Sequence, residues 1–95
     1  MTNNTNLSTP GEILNEEFMK PLNLDDYDVA TAINMPLETV TNIINGKQPI
    51  TVPLAYRLAK AFSTTPEFWI NLQVDYEKQT FDPIQLDYVH VFGED

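Results

Sequence analysis

Ile33-Asn34-Met35-Pro36-Leu37-Glu38-Thr39-Val40-Thr41-Asn42-Ile43-Ile44-Asn45-Gly46-Lys47 is the stretch on which the fold turns. Val40, Ile43 and Ile44 recur at helical spacing and predict a short helix with one buried face. The other face carries Leu37, Glu38, Thr39 and Asn42, and Gly46 supplies a left-handed stop. The preceding segment, Tyr27 to Ile33, is also amphipathic and joins this helix through only a few residues around Asn34.

Two short helices joined so tightly form a helix-turn-helix, whose second helix enters the DNA major groove in many regulators. The spacing predicts three further helices around this pair. The first starts at Thr9-Pro10-Gly11-Glu12, where Thr9 caps, Pro10 takes the first helical position and Glu12 closes a capping box. Ile13, Leu14, Phe18 and Met19 form its inner face, and Pro21 is expected to end it. The first member of the pair, second in chain order, begins near Asp25, with Asp26 and Asp28 in its first turn, where the helix dipole favours anions.

After the rigid connector Pro49-Ile50-Thr51-Val52-Pro53, a fourth helix carries Leu54, Ala55, Leu58, Ala59 and Phe62 on one face. The fifth starts at Thr64-Thr65-Pro66-Glu67 and carries Phe68, Trp69, Leu72 and Tyr76. Beyond Asp82-Pro83, residues Ile84 to Phe92 are rich in β-branched and aromatic types and predict a strand. A lone strand leaves its backbone groups unpaired. It either pairs with a second copy, adds to a partner's sheet edge, or gives way to a tail packed irregularly on the helices. The expected class is therefore all-α, five helices with a short C-terminal β-strand. The expected organisation is a flexible tail over residues 1–8, the helical domain over 9–79, and a C-terminal strand or tail over 80–95.

The chain has 95 residues, enough for one domain with a modest core, and no cysteine, which excludes disulfides and thiolate metal sites. No apolar run approaches a membrane span, and the Asn- and Thr-rich start lacks signal-peptide character, so a cytoplasmic location is expected. Net charge is −9, from fourteen carboxylates against Lys20, Lys47, Arg57, Lys60 and Lys78. That balance suits a basic protein partner and weighs against simple phosphate binding.

Nothing in the pattern supports catalysis. Glu16 and Glu17 diverge as neighbours on a helix, Ser8 and Ser63 lack a His/Asp context, and His90 has no second metal ligand at matching spacing. No metal and no cofactor is implied.

The motifs resemble the HigA-type antitoxins, a branch of the Cro/repressor-like helix-turn-helix proteins. The matching pieces are Pro10-Gly11-Glu12-Ile13-Leu14 with Glu16-Glu17-Phe18, and Ile44-Asn45-Gly46-Lys47 with Pro49-Ile50-Thr51. Further on come Ala55 with Arg57-Leu58-Ala59-Lys60-Ala61-Phe62, and Thr65-Pro66-Glu67-Phe68-Trp69 with Asn71-Leu72-Gln73 and Tyr76. The resemblance covers about residues 9–79 and implies a lambda-repressor-like domain. It further implies an antitoxin that neutralises a HigB-like basic, mRNA-cleaving toxin, forms a homodimer and represses its own operon at a palindromic operator. Alternatives are a stand-alone Cro-like regulator and an acidic protein-binding module without DNA recognition.

In this fold the residues facing base edges are Leu37, Glu38, Thr39 and Asn42, with Lys47 and Gln48 as phosphate contacts. Asn42 suits the bidentate contact to adenine, Leu37 a thymine methyl, and Glu38 a cytosine amino group. Many relatives carry serine and glutamine where this chain has Asp25 and Asp26, so any DNA binding is expected to be weak and salt-sensitive. Glu12, Glu16 and Glu17 are the expected toxin face. Trp69, Tyr88, Val89 and Val91 are the expected dimer contacts, Phe68 is expected in the core, and Arg57 is expected to pair with Glu67.

Overall fold

The computed structural model describes residues 8–93. The residues of the expected N-terminal tail before Ser8 lie outside that range, as do Glu94 and Asp95. Helix α1 (Pro10–Ile13) opens on the expected capping box. The Glu12 N–H donates to Thr9 Oγ1 at 3.1 Å, and the Thr9 N–H donates to Glu12 Oε1 at 3.0 Å. The helix does not stop before Pro21. It widens into a π-helical turn (Leu14–Met19), tightens into a 3-10 turn (Lys20–Leu22) that contains Pro21, and ends at left-handed Asn23. Proline has no N–H and its ring crowds the carbonyl four residues back, so the i→i−4 ladder is re-registered on the approach to Pro21.

Helix α2 (Asp26–Ile33) is capped by Asp25, whose carboxylate accepts from the Asp28 N–H at 2.9 Å while Asp28 returns the bond at 3.0 Å. Left-handed Asn34 (φ 57°) ends it, and α3 (Leu37–Ile44) follows directly. Gly46 (φ 74°) ends α3 with the Lys47 N–H donating to the Asn42 carbonyl at 2.8 Å. Helices α4 (Val52–Phe62) and α5 (Pro66–Thr80) complete the domain. Helix α4 packs against α5 and α2, and α1 packs against α3 and α5.

Leu14, Met19, Val29, Val40, Ile43 and Leu58 form the sealed centre. An aromatic cluster closes one end: the Phe18 ring lies 4.9 Å from Trp69 and 5.5 Å from both Phe62 and Phe68. Trp69 is 0% exposed and its Nε1 donates to Thr64 Oγ1 at 2.7 Å, whereas Phe68 is 37% exposed. The expected roles of these neighbours are thus exchanged. Trp69 is sealed inside one chain, where its indole N–H finds a partner in the Thr64 hydroxyl, and it is not a surface for dimer contact.

The expected C-terminal strand is also corrected. Pro83–Tyr88 forms a 3-10 helix, started by Asp82 Oδ1 accepting from the Ile84 N–H at 3.0 Å, and no strand occurs among the described residues. Pro83 fixes φ and the Asp82 cap begins a turn, while among the described residues no second strand is available to pair.

Candidate nucleic-acid interface

The outer face of α3 is presented by its neighbours. Leu37 is 49% exposed, Glu38 is exposed, and Thr39 and Asn42 are half-buried along the same short helix. Asn42 follows Glu38 by four residues and Thr39 by three, so the three line one side of the helix. Two polar ties set the angle at which α3 stands. The Thr41 hydroxyl donates to Asp26 Oδ2 at 3.0 Å, joining α3 to the first turn of α2. Arg57 reaches from α4 to the turn between the helices, donating through Nη1 to the Ile33 carbonyl at 2.7 Å and the Asn34 carbonyl at 3.5 Å.

Arg57 therefore satisfies the orphan carbonyls at the end of α2, where a cation also suits the helix dipole. The expected ion pair with Glu67 is replaced by this bond. The signal for it was the carbonyl-rich C-terminus of α2, which needs a donor from outside the helix.

Lys47 is exposed and Gln48 half-buried just past Gly46, and both line a shallow depression with Thr9 and Pro10 at the start of α1. The turn after α3 is anchored on α5, since the Ile50 N–H donates to Gln73 Oε1 at 2.9 Å. The structure thus gathers the six expected DNA-contact residues on α3 and its exit. Asp25 and Asp28 stand at the start of α2 as caps, and Asp26 holds Thr41, so each carboxylate there has a structural task. The charges remain all the same, and a phosphate strand approaching this end meets three carboxylates.

Glu12, Glu16 and Glu17 do not form a uniform face. Glu12 is committed to the capping box, and Glu16 bonds Lys20 Nζ at 2.8 Å across one exposed helical turn. Tyr88, Val89 and Val91 are all exposed. Among the described residues no group of three or more His, Cys, Asp or Glu is arranged to hold a metal ion, and no helix is long and apolar enough to cross a membrane.

Gly11 is the residue whose importance the sequence reading missed. An added Cβ would overlap the Ile43 carbonyl oxygen and lie 2.6 Å from the Ile43 carbonyl carbon and 2.9 Å from Ile44 Cα. Helix α1 therefore meets the last turn of α3 backbone to backbone. A glycine inside a helical turn is the signal that marks such an approach.

The helix-turn-helix family model matches residues 16–69. An uncharacterised HTH-type transcriptional regulator of Haemophilus influenzae is 51% identical over 63 residues, which is 66% of this chain and 59% of the relative. The chain thus spans about 59% of that relative's length. A solved structure of Pseudomonas aeruginosa antitoxin HigA with the higBA promoter superposes with a TM-score of 0.80 at 28% identity, covering 93% of this chain and 99% of that one. An addiction module antidote protein of the HigA family from Coxiella burnetii gives a TM-score of 0.73 at 37% identity, covering 90% and 96%.

Proposed function

Because this chain belongs to the helix-turn-helix family, in its branch of HigA-type antitoxins, we propose that it neutralises a HigB-like basic ribonuclease toxin and represses its own operon. The observation that carries the reading is the open outer face of α3, held at a defined angle by the Asp26–Thr41 and Arg57 bonds. A likeness over almost the whole chain to an antitoxin solved with its promoter supports it. The protein works as a non-enzymatic cytoplasmic homodimer, so that two α3 helices meet the two halves of a palindrome.

On the operator, Asn42 pairs with an adenine edge, Leu37 covers a thymine methyl, and Thr39 and Glu38 meet base or phosphate groups. Lys47 and Gln48 hold the backbone. With no arginine on the face, specificity rests mainly on Asn42. Replacing Asn42 with alanine is expected to weaken operator binding tenfold or more while leaving binding to unrelated DNA unchanged. Gel-shift titration measures this, and equal operator affinity for both proteins would remove Asn42 from the reading face.

The toxin face is α1 together with the π-helical turn that follows it, where Glu12, Glu16 and Glu17 lie and the net charge of −9 steers a basic partner, although Glu16 is shared with Lys20. Glu16→Lys with Glu17→Lys is expected to weaken capture of the toxin by at least tenfold in pull-down. Unchanged capture would move the toxin to another surface. A second reading, an acidic protein-binding module that no longer reads DNA, is favoured by Asp25, Asp26 and Asp28 beside the expected phosphate path. Under it the helix pair is a scaffold and toxin capture stands alone.

A further inference from the structure

Lys47 and Gln48, the two expected phosphate contacts, sit on the connector between α3 and α4. One end of that connector is fixed on α3, where the Lys47 N–H donates to the Asn42 carbonyl at 2.8 Å. The other end is fixed on α5, where the Ile50 N–H donates to Gln73 Oε1 at 2.9 Å. Pro49 lies between them, with its φ set by the ring and no N–H to offer. Among the described residues, residues 48–50 make no hydrogen bond besides the one to Gln73. Ile50 is 3% exposed, so without Gln73 its N–H would be left unpaired away from solvent.

Gln73 is itself held. Its Nε2 donates to Glu77 Oε2 at 2.9 Å, one turn further along α5. A carboxylate only accepts and a backbone N–H only donates, so these two neighbours fix which end of the amide faces which. The charged acceptor on Nε2 also polarises the amide and strengthens Oε1 as the acceptor for Ile50. Glu77 thus acts on the connector through Gln73, although neither residue lies on α3 or its exit.

The consequence falls on Lys47 and Gln48, which border one depression with Ile50 and Gln73. Phosphate contacts set the register of a protein on the duplex, so they have to stand at a fixed height beside the reading helix. A hydrogen bond at each end and a proline between them leave the connector one course. With Gln73 removed, burial of the Ile50 side chain remains, and nothing sets the direction of its N–H.

We propose that Gln73, oriented by Glu77, is a positioning residue for operator binding, clamping the connector so that Lys47 and Gln48 reach the DNA backbone together with the α3 face. The inference rests on the operator-binding reading above and gives α5 a part in it.

Gln73→Met keeps the reach and helix propensity of the side chain and removes the acceptor. Operator affinity of the full chain is expected to fall about tenfold, and the slope of log affinity against log salt to shrink by about one phosphate contact. Combined with Lys47→Ala, the total loss is expected to be smaller than the product of the two single losses, since both remove the same contact. Gln73→Glu sets two carboxylates side by side and is expected to weaken binding as Gln73→Met does. Adding Glu77→Gln to it exchanges the two side chains at constant net charge. That pair again gives the Ile50 N–H an oriented acceptor, and is expected to restore both affinity and slope.

Fluorescence-anisotropy titrations at several salt concentrations measure these values, with a thermal melt of each variant to show that it is folded. Should Gln73→Met not fold, Gln73→Glu against the exchanged pair carries the test. Unchanged operator affinity in Gln73→Met would overturn the proposal. So would a loss of stability with the salt slope intact, which marks the bond as structural only, or losses that multiply with Lys47→Ala. An exchanged pair that binds no better than Gln73→Glu would overturn it too. An unsubstituted chain with no preference for its upstream DNA would overturn the operator-binding reading, and this inference with it.

Discussion

Gly11→Ala is expected to lower stability by about 3 kcal/mol or more, at the upper end of overpacking effects. The added methyl would meet the Ile43 carbonyl group and Ile44 Cα, all main-chain atoms with no rotamer to yield. Relief requires α1 to move off the last turn of α3, which loosens the helix proposed to face DNA. Against a total of about 5–15 kcal/mol for a domain of this kind, the melting temperature is expected to fall by more than about 10 °C. Gly46→Ala is the informative companion. Its Cβ would sit 3.7 Å from Thr9 Cγ2, an ordinary contact, so only the left-handed backbone conformation counts against it, at about 1–2 kcal/mol. Thermal melts that rank Gly46→Ala as the more damaging change would refute the close approach of α1 and α3.

The second large effect is at Trp69. The indole is sealed, contacts the Phe18, Phe62 and Phe68 rings at centroid distances of 4.9–6.3 Å, and bonds the Thr64 hydroxyl. It joins the widened turn after α1 to the end of α4 and the start of α5. Trp69→Ala is expected to cost about 3–5 kcal/mol, since little around three fixed rings can collapse into the space. Trp69→Phe retains most of the burial and loses the Thr64 bond, so a loss of about 1–2 kcal/mol is expected. Denaturant unfolding followed by circular dichroism measures both. A loss below about 1 kcal/mol for the alanine variant would mean that this cluster does not hold the helices together.

Helix ends were the most legible part of the fold, because their chemistry is local. Thr9 with Glu12 and Thr65 with Pro66 announce starts that the hydrogen bonds reproduce, and Gly46 announces the end of α3. Apolar spacing likewise placed Val40, Ile43, Leu58 and Val29 inside. What escaped depends on tertiary direction. Phe68 and Trp69 are successive residues about 100° apart on α5, both at the margin of its apolar stripe, so spacing alone does not say which one turns inward. The Thr64 hydroxyl decides it. The segment after Pro83 has strand-like composition, but a strand exists only with a partner, and within one chain the Asp82–Pro83 turn prevails.

For the candidate interface, the sequence indicated which residues lie on and after α3. It did not indicate what orients the helix. Asp26–Thr41 spans fifteen residues and Arg57–Ile33 twenty-four, so neither tie has a local signature. Asp25, Asp26 and Asp28 read as obstacles to DNA from sequence, and the structure gives each a bond within the helix pair as well.

The central claim is that α3 reads a specific DNA sequence in spite of the surrounding carboxylates. The direct measurement is a titration of the full chain with the DNA upstream of its own gene, against a scrambled duplex of equal length, at low and moderate salt. Clear preference for the upstream DNA is expected, with affinity falling as salt rises because phosphate contacts contribute. Equal binding to both duplexes, or none even at low salt, would contradict it and leave the helix pair a scaffold for capturing a protein partner.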